Sequence, residues 1–522
     1  MMSNEAFASL PQNMSAILEG RDDACALVVE GKATTRGQLR LAARNAATFL
    51  SGKGLKQGDC LAVWLPNGIA WMQLLFAAAQ IGVLVVPIST RYKSSEVKHL
   101  LQVSRARAIV AADEFLDIRY ADIARSLLGE LGTLEHVFEH THQAEFLPWR
   151  TSTSVPESAL KPEAPDALLC CFSTSGTTGY PKLATHGHLS IVRHASRVAC
   201  AFDLRHDDVM LCALPLFGVF GFMSALAALA AGASCVLMPV YEAKQAVQLI
   251  SQYRVTHAVG GDSMFDAMLA VEDADFSSFR RGAMADFVGL PHAVATLGDT
   301  LGIKFTGTYG SSEVYALMSI QDWDSSCDQR ARAGGIPVDP LIEIRLIDPE
   351  SGLPAAADQP GEIQIRGPNV LPGYLNNPQA TANAFTEDGW YRSGDLGIRD
   401  GVGFRYLARM GDSLRLRGYL VNPAEIEQVL MTCPGVSGAQ VVGVNRAGIG
   451  DVAVAYVIGD GSVGSPPGEA DMLAHCREHL ANYKVPQRIV VIAAFPVISG
   501  PNGTKIQKRE LREMAMNGSN RP

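Results

Sequence analysis

Seven small residues followed closely by a lysine form the stretch of this chain best suited to chemistry. Residues 168–188 read LLCCFSTSGTTGYPKLATHGH. The first five are an apolar run that predicts a buried strand. Ser173, Thr174, Ser175, Gly176, Thr177, Thr178 and Gly179 then follow with no bulky side chain among them. Tyr180 and Pro181 close the loop, and Lys182 comes next. Glycines let backbone N–H groups approach an anion, hydroxyls add donors, and a lysine supplies mobile positive charge. Phosphate is the anion such a loop suits. The stretch departs from the G-x-x-x-x-G-K-[ST] pattern, because Gly176 and Gly179 are too close and Leu183 follows Lys182. On the residues alone, a flexible surface loop is the competing reading.

Three other stretches carry chemically capable side chains. Residues 308–313, TYGSSE, pass from strand to turn with an aromatic ring, two hydroxyls and a carboxylate. In 207–222, DDVMLCALPLFGVFGF, a strand is broken at Pro215, and Phe217, Phe220 and Phe222 crowd a glycine-bearing turn that suits either core or pocket. His136, Glu139, His140 and His142 resemble a metal cluster, but their spacing matches no common ligand set, and a solvated loop is the preferred reading.

The elements that must position these residues follow an α/β rhythm. Helical and strand patterns alternate from Thr35 to about Ser89, with buried strands predicted over 61–65, 83–86 and 106–111. Further strands are predicted over 211–214, 234–237, 253–259 (ending at Gly260, Gly261 and Asp262) and 304–306. Two long uncharged spans, 61–90 and 209–241, are punctuated by prolines and glycines, so each predicts strand, buried helix and strand in place of a membrane helix. From 342 to 406 the runs turn short and β-like, with turns about every ten residues, which predicts a small, mainly antiparallel subdomain. Beyond Asp412 a helix at 424–431, strands at 440–444, 452–457 and 489–493, and a helix marked by Leu473, Cys476 and Leu480 predict a separate small α+β domain.

Composition narrows the class. A chain of 522 residues exceeds one ordinary domain, and 48% hydrophobic with 19% charged residues is a globular balance. The net charge of −9 argues against nucleic acid as a partner. Ten cysteines without a C-x-x-C pair suit a reducing, cytoplasmic setting and no zinc site. Residues 1–20 show no secretory signal, and the chain shows no internal repeat.

In order and spacing, the motifs resemble the adenylate-forming superfamily of acyl-CoA synthetases, peptide-synthetase adenylation domains and firefly luciferase. The match runs from about Thr35 to Arg512. STSGTTGYPK at 173–182 resembles the family's phosphate loop, YGSSE at 309–313 its Y-G-x-T-E motif with Ser312 where Thr is usual, and YRSGDLG at 391–397 its ribose-binding segment. RMGDSLRLRGYLVNPAEIE at 409–427 resembles the interdomain hinge, and NGTKIQKRELR at 502–512 the segment with the catalytic lysine. The resemblance implies a large N-terminal domain of α/β subdomains with a small β subdomain, 1–411, and a small mobile α+β domain, 412–522. It implies ATP, Mg²⁺ and coenzyme A. Ser173–Gly179 and Lys182 would hold the β- and γ-phosphates, Glu313 the Mg²⁺, and Ser312 the α-phosphate. Tyr309 would stack on adenine, Asp395 and Arg409 would bind the ribose, and Lys505 would act at the α-phosphate and acyl carboxylate. Asp412 would be the hinge that brings Gly418 and Tyr419 to the site for the thiol step.

The same resemblance places an acyl pocket around Phe217, Gly218, Phe222, Gly261, Gly310 and Val314. Besides Ser312, several positions depart from the family pattern. Leu183 stands where Gly is usual, Gly218 where many relatives carry His, and FVGLP at 287–291 where the adenine-bordering Gly-Gly-Ala-Pro is expected. No acidic residue follows the 215–222 turn to pair with an amino acid's ammonium, and Asp262 reads as a turn residue. The expectation is an acyl-CoA synthetase for an apolar acid, medium-chain aliphatic or aromatic, working as monomer or homodimer. A free-standing ligase loading the phosphopantetheine of an acyl carrier protein, a luciferase-type oxidase and a catalytically silent nucleotide-binding relative remain alternatives.

Overall fold

The two uncharged spans resolve into strand, helix and strand. A computed structural model describes residues 11, 13–149, 167–174, 181–287, 290–349, 351–357, 359–410, 414–417, 419–421, 423–446, 450–459, 467–500 and 503–517. In the first span the strand Cys60–Trp64 leads to the helix Ile69–Ile81 and then to Leu84–Pro87. Residues 69–79 of that helix are buried on every side, which is why its sequence lacks a polar face. Gly82, at φ 66°, ends it in the left-handed conformation that suits glycine. In the second span Val209–Cys212, Val219–Ala230 and Ser234–Leu237 repeat the arrangement. No helix among the described residues is long and apolar enough to cross a membrane.

Two sheets share these units. A six-stranded sheet runs in the order His136–His140, Ala108–Ala112, Cys60–Trp64, Leu84–Pro87, Leu168–Thr174 and Lys182–Gly187. All its neighbours are parallel except the last pair. A thirteen-stranded sheet has a parallel half built from Cys25–Val29, Ser234–Leu237, Val209–Cys212, His257–Gly261, Arg281–Ala285 and Lys304–Ser311. Helices packed between apolar strands explain the parallel pairing, which requires crossovers. At Lys304–Ser311 the pairing turns antiparallel and stays so through Tyr315–Ile320, Gly334–Pro337, Gly403–Arg409, Tyr391–Asp400, Gly361–Arg366 and Glu343–Ile347. The short β runs of 342–406 are therefore antiparallel as expected, and they extend the main sheet. A further five-stranded sheet takes all its strands from 414–491, and Val497–Gly500 pairs with Gly503–Ile506 as a hairpin.

Two local expectations need correction. Residues 136–140 form an edge strand, not a loop, and His140 is buried within it. Tyr253 closes the helix Ala243–Tyr253, which Arg254 ends at φ 50°, so the strand starts only at His257. Ala246, Val247 and Ile250 form the buried stripe of that helix, and their spacing outweighs the β-propensity of the residues that follow.

Candidate active site

The strands on either side of the small-residue stretch pair with each other. Leu168–Thr174 pairs antiparallel with Lys182–Gly187, and Thr174 faces Lys182 in register. Ser175, Gly176, Thr177, Thr178 and Gly179 lie outside the described residues; Ser173 and Thr174, at the root, are half-buried. The Ser173 hydroxyl lies 3.3 Å from that of Tyr92. Lys182 extends over the ring of Tyr374, with Nζ 4.7 Å from its centroid. Leu183 is fully buried, and its carbonyl accepts the N–H of Leu375 at 2.8 Å. Core packing of a hairpin strand thus accounts for an apolar residue where glycine was expected.

The YGSSE motif spans the end of the strand Lys304–Ser311 and the turn after it. A Cβ at Gly310 would fall 2.3 Å from the carbonyl oxygen of Tyr315, so only glycine lets the two strands approach at this bulge. Ser312 is half-buried, and its carbonyl accepts a 2.6 Å hydrogen bond from His186 Nε2. Behind the motif, Tyr315 is stacked between His186 at 4.0 Å and His194 at 4.9 Å, and its hydroxyl lies 2.7 Å from that of Ser190. Tyr315 and Leu317 take φ 61° and 63°, a conformation that bulky residues rarely adopt. Burial pushes the pKa of His186 down to about 4 and that of His194 down to about 4, so both rings stay neutral.

Glu313 is buried at 8% exposure. Its carbonyl accepts from Leu371 N–H at 2.8 Å, and its Oε1 accepts from the Tyr374 hydroxyl at 3.1 Å. Among the described residues it makes no ion pair, and no three His, Cys, Asp or Glu side chains are grouped to hold a metal unaided. A single buried carboxylate against a neutral donor suits Mg²⁺, a hard cation that binds through one or two carboxylates plus substrate phosphates.

Tyr309 and Asp395 meet directly. The Tyr309 hydroxyl donates to Asp395 Oδ2 at 2.7 Å, and its ring packs edge-on against Phe404 at 5.2 Å. Ser393 Oγ accepts the Asp395 N–H at 3.0 Å, which fixes the acid's backbone. Arg409 is the register partner of Asp395 across the sheet; its side chain is outside the description.

At the expected acyl pocket the residues separate. Phe217 and Gly218 are half-buried before the helix Val219–Ala230, and a Cβ at Gly218 would meet only Pro215 O at 3.5 Å, an ordinary contact. At Gly221 a Cβ would fall 2.4 Å from the same oxygen, so glycine is required there. Phe222 sits in the core, edge-on to Phe172 at 5.1 Å and Trp71 at 5.9 Å, and Val314 is fully buried. The Phe287 ring covers Gly261, 2.6 Å from where a Cβ would stand. Asp262 is fully buried and opens the helix Asp262–Leu269 where a turn was expected; its Oδ1 accepts from the N–H groups of Ser263 and Phe287, its Oδ2 from that of Leu290.

The C-terminal residues are less fully described. Lys505 lies in the strand Gly503–Ile506 opposite Ile498, with its side chain outside the description. Asp412 and Gly418 are outside the described residues, and Tyr419 opens the strand Tyr419–Val421, again without a described side chain. Lys484 is well placed: Nζ is 2.7 Å from Glu425, 2.9 Å from Glu96 on the helix Ser94–Ser104, and 4.9 Å from the Tyr92 ring centroid. Burial opposes its charge, but Tyr92, Tyr483, Glu425 and Glu96 together hold its pKa well above the usual lysine range.

Sequence reading missed Tyr374, Tyr92 and His186. The one available signal was Gly373-Tyr374 between Pro372 and Asn376, a turn composition with an aromatic in it.

Comparison with known proteins adds findings of three kinds. The AMP-binding enzyme family matches residues 15–375, and the AMP-binding enzyme C-terminal domain matches residues 425–499. A Mycobacterium tuberculosis protein named 3-[(3aS,4S,7aS)-7a-methyl-1,5-dioxo-octahydro-1H-inden-4-yl]propanoyl:CoA ligase is 30% identical, over 96% of this chain and 99% of its own. The mitochondrial medium-chain acyl-CoA ligase ACSF2 of Bos taurus is 29% identical, over 94% of this chain and 84% of its own. Among solved structures, the amide bond synthetase McbA of Marinactinospora thermotolerans superposes with a TM-score of 0.82 at 24% identity, covering 95% of this chain and 98% of the other.

Proposed function

The chain belongs to the AMP-binding enzyme family, and from that premise we propose that it uses ATP to join an apolar carboxylic acid to the thiol of coenzyme A. A carboxylate resists thiol attack because the oxygen it would expel is a poor leaving group. In the first step a carboxylate oxygen attacks the α-phosphorus of ATP, the bond to the β-phosphate oxygen breaks, and pyrophosphate leaves. In the second, the thiol gives up its proton, its sulfur attacks the acyl carbon, and AMP leaves with the electron pair.

Each residue has a task in this scheme. Ser173, Thr174, residues 175–179 and Lys182 hold the departing phosphates, and Ser312 binds the α-phosphate. Asp395, oriented by Tyr309, accepts from the ribose hydroxyls, and Arg409 adds a second ribose contact. Glu313 would ligate Mg²⁺, which when bound neutralises phosphate charge. Lys505 brings positive charge to the α-phosphate and the acyl carboxylate. We further propose that the chain divides at Asp412, so that 412–522 presents Lys505 for adenylation and then rotates to present Gly418 and Tyr419 for the thiol step.

The observation that carries this reading is the convergence of distant motif residues. Lys182, Tyr374 and Glu313 form one contact series, and Tyr309 and Asp395 another, from stretches far apart in sequence. The relatives' names support an apolar acid, one acting on a ring-bearing propanoyl group and the other on medium-chain acyl groups. Half-buried Phe217 and Phe220 beside the side-chain-free Gly218 agree with that, as does the commitment of Asp262 to backbone donors. The ten free cysteines suit a reducing, cytoplasmic setting. Carboxylate-dependent ATP–pyrophosphate exchange over a panel of aliphatic, aromatic and alicyclic acids is the direct test. Exchange with apolar acids, followed by thioester on free coenzyme A in preference to holo carrier proteins, is expected. No exchange with any acid would leave only a silent nucleotide-binding relative.

A further inference from the structure

Lys182, on a strand, and Glu313, in a turn, stand 131 positions apart, yet both touch one side chain. Tyr374 presents its ring face to the Lys182 ammonium at 4.7 Å and donates its hydroxyl to Glu313 Oε1 at 3.1 Å. The side chain is 8% exposed, in the core cluster that also holds Val314 and Leu371. Its backbone is tied down on both flanks. Leu371 N–H donates to Glu313 O, Thr185 N–H to Gly373 O, and Leu375 N–H to Leu183 O. The Tyr374 N–H donates to Thr381 Oγ1 at 2.9 Å, and Asn369 Nδ2 to Val314 O at 2.9 Å. Residues 369–375 thus lace the Lys182 strand to the Glu313 turn, with Tyr374 at the crossing.

We propose that Tyr374 is a positioning residue that fixes the separation between the phosphate-loop lysine and the Glu313 carboxylate. The proposal rests on the reading of Lys182 and Glu313 given above. The ring face attracts the ammonium through its quadrupole, so Lys182 is held near the loop before any phosphate arrives. A hydroxyl donated to one carboxylate oxygen fixes the orientation of the group and directs the rest of its lone pairs toward a cation. The two effects belong to different parts of one side chain, so they separate by substitution. Tyr374→Phe keeps the ring and removes the hydroxyl, whereas Tyr374→Leu removes both.

Equilibrium binding of ATP and of pyrophosphate, by calorimetry with EDTA and across a magnesium titration, reads the two effects without turnover. Y374F is expected to raise the magnesium concentration for half-maximal ATP binding about 5- to 10-fold, with metal-free pyrophosphate affinity within twofold of wild type. Y374L is expected to show the same magnesium shift and in addition to weaken metal-free pyrophosphate binding about 5-fold. An unshifted magnesium midpoint in a folded Y374F protein overturns the proposal. So does metal-free pyrophosphate binding in Y374L equal to that of Y374F; if Y374L does not fold, Y374F alone decides. Lys182→Met and Glu313→Gln serve as controls. If neither alters nucleotide binding, the assignment of those two residues falls; if both do while the Tyr374 variants match wild type, only the Tyr374 proposal falls.

Discussion

Tyr309 and Asp395 are each recognisable from their motifs, but nothing in either motif announces that one orients the other. Their 2.7 Å bond joins residues 86 positions apart. A hydroxyl donated to a carboxylate contributes about 1.5 kcal/mol or more, so Tyr309→Phe should raise the KM for ATP about tenfold while kcat falls less. Steady-state kinetics checks this, and an unchanged KM would mean that Asp395 is held by its backbone alone. The histidines were legible as residue types but not as a stack, because Tyr315, which sits between them, lies more than a hundred positions away. Burial lowers the pKa of His186, His188 and His194 to about 4 from 6.5. Below pH 6.5 the unfolded chain binds protons that the folded rings refuse, so their contribution is full above 6.5 and is lost as pH falls toward 4. Urea midpoints measured from pH 7 to 4.5 should therefore fall, and His194→Gln should flatten the slope. A slope equal to that of the parent would show that other groups set the acid limit.

At the scale of elements, the buried helices and most parallel strands follow from apolar runs bounded by Gly and Pro, and the sequence shows them. The strand pair that flanks the small-residue stretch does not show itself so clearly. Its second strand, KLATHG, has one β-branched residue and no alternation, and it is a strand because Leu168–Thr174 offers it a ladder. Long-range pairing is information that a local pattern lacks. The same holds for residues 136–140, whose histidines and glutamate read as solvated until Ala108–Ala112 supplies an edge. The glycines of the 215–222 turn are two different cases. Gly221→Ala would force a Cβ against two carbonyl oxygens, at 2.4 and 2.5 Å, and should cost about 1–3 kcal/mol of stability. Gly218→Ala meets only an ordinary contact and should stay within about 0.5 kcal/mol of the parent, while narrowing the range of acids that support exchange. Thermal unfolding of both variants, with the acid panel repeated for Gly218→Ala, tests the pair; equal stability losses would refute the distinction.

Across the whole molecule, the separate texture of the last hundred residues was legible because its helices and strands restart after a turn-rich break, and 414–491 does form its own sheet. The Lys484 cluster, one of the contacts that join this part to the rest among the described residues, was not. Lys484, Glu425, Glu96 and Tyr92 come from three distant stretches, and as sequence each reads as a surface residue. Replacing Lys484 with Met would leave two carboxylates facing each other out of water, a loss of about 3–5 kcal/mol. The Lys484→Met/Glu425→Gln double variant should recover part of it in urea unfolding; no recovery would assign the loss to packing. Lys505→Ala should abolish acyl-AMP formation yet spare thioester formation from pre-made acyl-AMP, and equal loss of both half-reactions would refute the two-position scheme. The sheet order also bears on how the chain is made. Cys25–Val29 needs Ser234–Leu237 as its parallel neighbour, and until then it has only its hairpin with Lys32–Thr35. At roughly 5–20 residues per second, a ribosome takes roughly 10–40 s to deliver that partner. The six-stranded sheet, whose strands all lie between residues 60 and 187, is out of the exit tunnel first. Among the described strands Cys25–Val29 thus waits longest for its parallel neighbour, and an apolar ALVV edge is left for chaperones to shield during synthesis.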